Sequence, residues 1–116
     1  MTVVYGINNC DTVKKTLKWL EKNNINYQFH DFKKQGLSPE LLSELVAKSD
    51  WSTLLNKRST TFRNLADEIK NNLTDENCFN SAIEQPTLIK RPVLLHNNSL
   101  YVGFKESNYQ EIFASE

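Results

Sequence analysis

The stretch VYGINNCDTVKK, residues 4–15, places a lone cysteine, Cys10, between two different kinds of sequence. Before it, residues 2–5 are β-branched and aromatic, which predicts a buried strand. After it, Asp11 and Thr12 are both good N-cap residues, and they begin an amphipathic segment that predicts a helix. Cys10 is therefore expected where a strand has ended and a helix begins, outside the apolar core.

The segment that follows completes a strand–helix–strand unit. Apolar residues at helical spacing mark the helix, and Asn23-Asn24 is expected to end it, because asparagine can take the left-handed cap conformation. Residues 25–30 then alternate apolar and polar side chains, which predicts a second strand. Since one helix connects the two strands, they are expected to be parallel with a right-handed crossover.

The middle of the chain predicts helices. Ser38-Pro39 has the N-cap and first-position residues of a helix. Asp50 is expected to cap a short turn, residues 62–69 are expected to form one helix, and Thr74 is expected to cap a helix that carries Cys78.

The last third predicts a β-hairpin and a closing helix. Residues 93–96 and 99–102 have strand composition and are joined by Asn97-Asn98, a pair that tolerates positive φ in a two-residue turn. Residues 106–113 predict the final helix. The whole order predicts an α/β fold: a thioredoxin-like mixed sheet, βαβ plus a β-hairpin, with a helical subdomain inserted at about residues 38–85, in a single domain of residues 1–116.

Length, charge and cysteine content exclude several classes of protein. The chain has 116 residues, which suits one core, and 14 basic against 14 acidic residues give a formal net charge of zero. Such a chain is not steered strongly to nucleic acid or to an anionic membrane, and no apolar run approaches the ~20 residues of a membrane span. The N-terminus does not have a secretory signal pattern. Two cysteines are too few for a disulfide framework, so a cytoplasmic, reducing location is predicted. The protein is also expected to be a monomer.

The position of Cys10 favours a reactive thiol. Unpaired backbone N–H groups and the positive end of the helix dipole stabilise an anion at a helix N-terminus, and the thiolate is the nucleophilic form of cysteine. Lys14 and Lys15 would add to this effect, while the Asp11 carboxylate would oppose it if it turned toward the sulfur. The alternative is an inert cysteine in a loop.

A reactive Cys10 would act as a monothiol. Dithiol oxidoreductases carry a second cysteine three residues after the first, but that position is Val13 here. Cys78 is the one internal alternative for resolving an intermediate. Its spacing from Ala82 and its position beside Phe79 favour packing in a core, and a resolving role is the second interpretation.

Two basic clusters predict anion binding. Lys57-Arg58 precedes three hydroxyl residues in an expected loop, and Lys90-Arg91 precedes Pro92 and a strand. The planar fork of arginine matches carboxylate, phosphate or an arsenic oxyanion. The alternative is that both clusters are solvated surface charges. Asn9 is expected to shape the turn before the helix and to donate to a bound anion.

The two histidines give weaker signals. Neither His30 nor His96 has metal-ligand spacing to another histidine or cysteine, so no metal site is expected. His30-Asp31 could orient a proton donor, but a surface or rim position is favoured because nothing in the spacing is specific.

Taken in order, these motifs resemble the arsenate reductase (ArsC/Spx) family, and most closely its YffB-like branch. The resemblance covers nearly the whole chain, and the ordered set is specific where a single motif would not be. The matching segments are residues 5–15 (YGINNCDTVKK), 30–32 (HDF), 51–63 (WSTLLNKRSTTFR), 88–94 (LIKRPVL) and 102–104 (VGF).

The resemblance implies a thioredoxin-like fold with a helical insertion, a cis peptide at Arg91-Pro92, and Cys10 as the catalytic cysteine. In arsenate reductases such a cysteine attacks arsenate, glutathione forms the mixed disulfide, and glutaredoxin reduces it. The family's oxyanion-binding arginines correspond to Arg58 and Arg91. Its further arginine after the last strand has no match, and Lys105 stands nearby.

The branches of the family imply different functions. The YffB-like branch implies a glutathione-dependent thiol reductase, in which Lys57, Arg58 and Arg91 hold glutathione carboxylates, with glutathione as cosubstrate, glutaredoxin as a further partner and no bound cofactor. A working arsenate reductase is the alternative enzyme. The Spx branch implies a regulator that binds RNA polymerase and senses oxidation through two cysteines, the second of which is replaced here by Val13.

Overall fold

The computed structural model describes residues 2–114, which form two compact units. The sheet unit contains the described residues up to Asp31 and from Arg91 onward, and the helical unit is Phe32–Lys90. In chain order the elements are β1 (Thr2–Gly6), α1 (Asp11–Lys22), β2 (Gln28–Asp31), α2 (Pro39–Ala47), α3 (Trp51–Leu54), α4 (Thr60–Arg63), α5 (Asp67–Lys70), α6 (Asp75–Glu84), a 3-10 helix (Pro86–Leu88), β3 (Val93–His96), β4 (Ser99–Val102) and α7 (Glu106–Ala114).

The four strands form one mixed sheet in the order β2-β1-β3-β4. β1 and β2 are parallel, and the other two pairs are antiparallel. This arrangement confirms the predicted thioredoxin-like mixed sheet, in which a run of helices lies between β2 and β3 in chain order. The inserted unit is wider than the predicted residues 38–85. Whether residues 1–116 form a single domain stays a prediction.

The register brings several chain segments to one edge of the sheet. Gly6 at the end of β1 lies opposite Asp31 at the end of β2, and Tyr5 lies opposite Val93 at the start of β3. Val93 in turn lies opposite Val102 at the end of β4. One edge of the sheet therefore carries the segments that follow β1, β2 and β4 and the segment that precedes β3. We call it the Cys10 edge.

The core of the sheet unit is built by the elements that flank it. Four of its residues are at most 1% exposed: Val4, Leu20, Leu94 and Tyr109. The ring of Trp19 contacts that of Tyr109 edge to face, with centroids 5.6 Å apart. Burial raises the pKa of Tyr109, whose hydroxyl donates to the carbonyl of Gly103 at 3.5 Å. These contacts hold α1 and α7 against the sheet.

The helical unit is organised by N-caps. Side chains at four helix starts accept a hydrogen bond from the third backbone N–H of the helix: Ser38, Asp50, Ser59 and Thr74. Three of these caps were predicted, and all three are confirmed. The core of this unit centres on Leu55, Cys78 and Leu88. No helix among the described residues is long and apolar enough to cross a membrane.

Two element predictions are wrong in detail. β2 begins at Gln28 and not at residue 25. Gln28 pairs with Val3, the second residue of β1, so residues 25–27 have almost no length of β1 left to pair with. The helix expected at residues 62–69 is two short helices, because Ala66 has an extended backbone with φ −58° and ψ 143°. Apolar periodicity continues through such a break.

The predicted turns are confirmed. Asn24, after α1, has a φ of 57°, and Asn97 and Asn98 between β3 and β4 have φ values of 49° and 69°. Asparagine is among the few residues that adopt this left-handed region at low cost. The asparagines therefore set the helix end and the hairpin register.

Candidate active site

Cys10 is itself the N-cap residue of α1. Its backbone is extended, with φ −102° and ψ 124°, and its carbonyl accepts a hydrogen bond from the N–H of Lys14 at 3.0 Å. The Cys10 side chain is half-buried and makes no capping hydrogen bond. The predicted strand–helix junction at Cys10 is confirmed. The helix begins one residue earlier than the cap residues predict, so Asp11 is its first residue and not its cap.

The loop that carries Cys10 is fixed by a close approach of β1 to α1. A Cβ atom on Gly6 would lie 2.8 Å from the Cγ2 atom of Val13, which is closer than real carbon contacts allow. Val13 is fully buried. The position that would carry a second thiol in a dithiol motif is thus used for packing against the end of β1.

The Cys10 edge also carries Arg91 and Lys105. The Arg91-Pro92 peptide is cis, as the resemblance implied, and the carbonyl of Pro92 accepts a hydrogen bond from the N–H of Gly103 at 2.8 Å. Arg91 is half-buried with its Nε atom inside the protein, while Asn9 and Lys105 are exposed. The structure therefore places Asn9, Cys10, Arg91 and Lys105 at one edge of the sheet unit.

The second basic cluster belongs to the helical unit. Lys57 and Arg58 are exposed in the turn before α4, and the backbone N–H of Arg58 donates to Oδ1 of Asn56 at 3.2 Å. Two of the hydroxyls expected to bind an anion there have structural partners: Ser59 caps α4, and Thr61 bonds to Thr87 at 2.6 Å. That Lys57 and Arg58 join Cys10 in one anion site stays a prediction.

Cys78 has the opposite environment. It is 2% exposed in the core of the helical unit, beside Leu55 and Leu88. Burial raises the pKa of the Cys78 thiol, Asp75 raises it further, and Lys57 lowers it. Both cysteines are free thiols. The expected packing role of Cys78 is confirmed.

The surface or rim position expected for His30-Asp31 is wrong for Asp31, which is buried, whereas His30 is half-buried. Asp31 is only 4% exposed, and the ring of His30 lies 5.3 Å from that of Tyr5 on the neighbouring strand. The reason is the register, which places both residues opposite the end of β1. His96 is also buried, with Nδ1 2.8 Å from the hydroxyl of Thr2.

A cavity of about 720 Å³ lies at the other end of the sheet unit. Its walls come from Thr2 and His96, the C-terminal end of α1 and the last turns of α7. Asn24 and Asn97 are among its lining residues. Both adopt positive φ in turns, so the need for asparagine in those turns accounts for their amide side chains here. The cavity is therefore not part of the cysteine site.

The fold and the cysteine-bearing helix start define a thioredoxin-like protein. Within that class, the chain belongs to the ArsC family, whose model matches residues 5–112.

Several known proteins are similar to this chain along almost its full length. An uncharacterized protein of Haemophilus influenzae is 46% identical over 114 residues, which are 98% of this chain and 100% of that protein. The solved structure of a YFFB protein is 40% identical, covers 96% of this chain and 97% of its own, and has a TM-score of 0.87. An arsenate reductase (ArsC) related protein from Brucella melitensis is 42% identical, with a TM-score of 0.80 and coverage of 97% and 93%.

Regulators are among the relatives as well. The global transcriptional regulator Spx of Lactiplantibacillus plantarum is 28% identical over 108 residues, which are 91% of this chain and 81% of the regulator. The family thus contains proteins named as reductases and proteins named as regulators, and the site residues must decide between these functions.

Proposed function

We propose that this protein is a glutathione-dependent monothiol reductase of the reducing cytoplasm, with Cys10 as its nucleophile. The proposal is supported chiefly by a difference in exposure. Cys10 is half-buried at an uncapped helix start, whereas Cys78 is buried, and so is Val13, which occupies the position of a second thiol in a dithiol motif. An intermediate on Cys10 must then be resolved by a thiol from another molecule.

The reaction would run in two exchanges. The Cys10 thiolate attacks the glutathione sulfur of a mixed disulfide, forms a Cys10–glutathione disulfide, and releases the substrate thiolate, which takes up a proton. A second glutathione thiolate, or the thiolate of a glutaredoxin, then attacks the glutathione sulfur and releases Cys10. With glutathione alone, the products are the reduced substrate and glutathione disulfide. One thiol is consumed and one is released, and one disulfide replaces another.

The cationic residues would hold the glutathione carboxylates. Arg91 offers a bidentate fork at the Cys10 edge, and Lys105 offers a point charge at the same edge. Lys57 and Arg58 of the helical unit are proposed as further carboxylate ligands, and Asn9 as an N–H donor. Because none of these roles requires a bound cofactor or metal, glutathione is proposed as a cosubstrate only.

Binding is tested by glutathione titration followed by amide NMR shifts. We expect changes at Cys10, Arg58 and Arg91, and an affinity about tenfold lower in Arg91→Ala, since hydrogen bonds to charged groups contribute ~1.5–3 kcal/mol. Lys48→Ala removes an exposed lysine that follows α2, outside the proposed site, and serves as the matched control. Shifts that avoid Cys10 and Arg91 would refute the proposal.

Arsenate reduction is the alternative enzymatic function, supported by the likeness to the Brucella melitensis protein. Spread oxyanion charge is best held by several fixed forks, and this chain offers Lys105 near the place of the third arginine. We therefore expect weak arsenate turnover beside efficient reduction of a glutathione mixed disulfide, in a coupled assay with glutaredoxin supplied. Rapid arsenate turnover that is lost in Arg91→Ala would favour the alternative.

A regulator of the Spx type is the alternative from another class, supported by the likeness to Spx proteins. The residue at the second position of its redox switch is buried Val13 here, which favours the enzyme. A pull-down with RNA polymerase separates the two classes, because a reductase has no need of that partner.

A further inference from the structure

The helix that begins at Cys10 presents a basic face to solvent. Three of its lysines repeat at intervals of four residues and therefore form one row along the helix, with a fourth lysine beside the row in the first turn. This α1 basic face consists of Lys14, Lys15, Lys18 and Lys22, all exposed. It lies opposite the buried residues Val13, Thr16 and Leu20.

The charges of this face are not neutralised within the described chain. None of its four lysines forms an ion pair among the described residues, in contrast to Lys70, which pairs with Asp67 in the helical unit. The two acidic residues of α1, Asp11 and Glu21, make no ion pair with these lysines. The pKa of Tyr27 is raised by burial and, to a smaller extent, by the negative charge of Glu21. Like charges four residues apart destabilise a helix. The row is thus a local positive field on a chain with no net charge.

Resting on the proposed function, we propose that the α1 basic face is the docking surface for a protein thiol reductant with an acidic surface around its active thiol. A Cys10 mixed disulfide has no internal thiol to resolve it, so the reductant must approach the start of α1. The basic row starts one turn from Cys10 and extends for about 12 Å along the helix. Attraction to it would raise the rate of encounter with an acidic partner.

The chemistry of that encounter is a thiol–disulfide exchange. The reductant's thiolate attacks the outer sulfur of the Cys10 mixed disulfide, and Cys10 leaves as the thiolate. A second thiol of the reductant then attacks the new mixed disulfide and releases the small thiol, so that the reductant ends as an internal disulfide and supplies both electrons.

The test uses the full chain with Cys10 converted to its thionitrobenzoate mixed disulfide, which any reactive thiol forms and which reports release by colour. Two dithiol glutaredoxins of opposite net charge, and neutral dithiothreitol, serve as reductants. The readout is the ratio of the glutaredoxin rate to the dithiothreitol rate in each variant, because this ratio cancels changes in the intrinsic reactivity of Cys10.

Lys18→Glu/Lys22→Glu reverses two charges more than a helical turn away from Cys10. We expect the ratio for the acidic glutaredoxin to fall about tenfold at low ionic strength, the ratio for the basic one to rise, and both changes to shrink with added salt. The matched control is Lys48→Glu/Arg63→Glu, which makes the same charge change on exposed cations of the helical unit and should alter the ratios less than twofold.

Equal ratios for the two glutaredoxins in the native chain, or equal losses in both double variants, would overturn the docking surface. Tight binding of a labelled RNA oligomer at physiological salt that is lost only in Lys18→Glu/Lys22→Glu would overturn it too, by assigning the face to nucleic acid. Failure of Cys10 to exchange with glutathione disulfide would refute the proposed function instead, and the thionitrobenzoate assay would still decide the docking surface.

Discussion

The two cysteines of this chain both lie near the start of a helix, yet their surroundings differ in every respect that matters for reactivity. Cys10 is the N-cap of α1, half-buried, with no side-chain cap on the helix. Cys78 lies in the first turns of α6, 2% exposed, and the N-terminus of that helix is already capped by the hydroxyl of Thr74. Cys10 is therefore partly exposed at an uncapped helix end, whereas Cys78 is enclosed behind a cap that already serves its helix.

The same comparison separates the two units of the molecule. The Cys10 edge gathers loop residues from the ends of three strands and from the start of a fourth, with Asn9 and Lys105 exposed. The centre of the helical unit instead gathers apolar side chains around Cys78. One region has exposed polar side chains, and the other is built to exclude water. The predictions below test this contrast.

The largest expected effect concerns activity. Cys10→Ser should lower the reduction of a glutathione mixed disulfide by at least ~100-fold, because a hydroxyl does not replace a thiolate nucleophile. Cys78→Ala should keep at least half of the activity. An equal loss in both variants, measured at matched folded concentration, would end the distinction between the two cysteines.

The next effect concerns accessibility. Iodoacetamide should alkylate Cys10 about 100-fold faster than Cys78 in the native protein, because the buried thiol has a raised pKa and reacts only when the helical unit opens. In denaturant the two rates should become equal. Peptide mass spectrometry gives both rates in one sample. Ready formation of a Cys10–Cys78 disulfide in mild oxidant would contradict both this contrast and the monothiol mechanism.

Stability should show the opposite ranking. Cys78→Ser should cost about 1–3 kcal/mol in the free energy of unfolding, because it places a hydroxyl among apolar side chains without an assured partner. Cys10→Ser should cost less than ~0.5 kcal/mol, as is usual for partly exposed positions away from the core. Urea unfolding measures both, and Cys78→Ala, which adds no polar group, should fall between them.

The smallest effect is a pH dependence carried by Cys78. Because its folded pKa is raised above the ordinary value of 9.0, the neutral thiol is the form that the fold favours. Its contribution is therefore fully present below about pH 8 and is lost as the pH rises through the folded pKa. The stability advantage of the native chain over Cys78→Ala should be constant at lower pH and should shrink above about pH 9. An advantage that grows with pH would show that the sign is wrong.

The sequence by itself determined the local structure of this protein. Caps at Ser38, Asp50 and Thr74, the asparagine turn at Asn97-Asn98, and the placement of Cys10 between strand and helix all depend on interactions within a few residues, which a local pattern records. The parallel pairing of β1 with β2 also followed, because a short helical crossover leaves few other solutions.

Tertiary structure alone decided what depends on partners distant in sequence. The start of β2 depends on where β1 begins, the burial of Asp31 on its place opposite Gly6, and the break between α4 and α5 on an extended backbone at Ala66 that apolar spacing does not reveal. The meeting of Cys10, Arg91 and Lys105 at one edge likewise follows from strand register. Register is set by which side chains must be buried together, and that is a property of the packed sheet and not of any single segment.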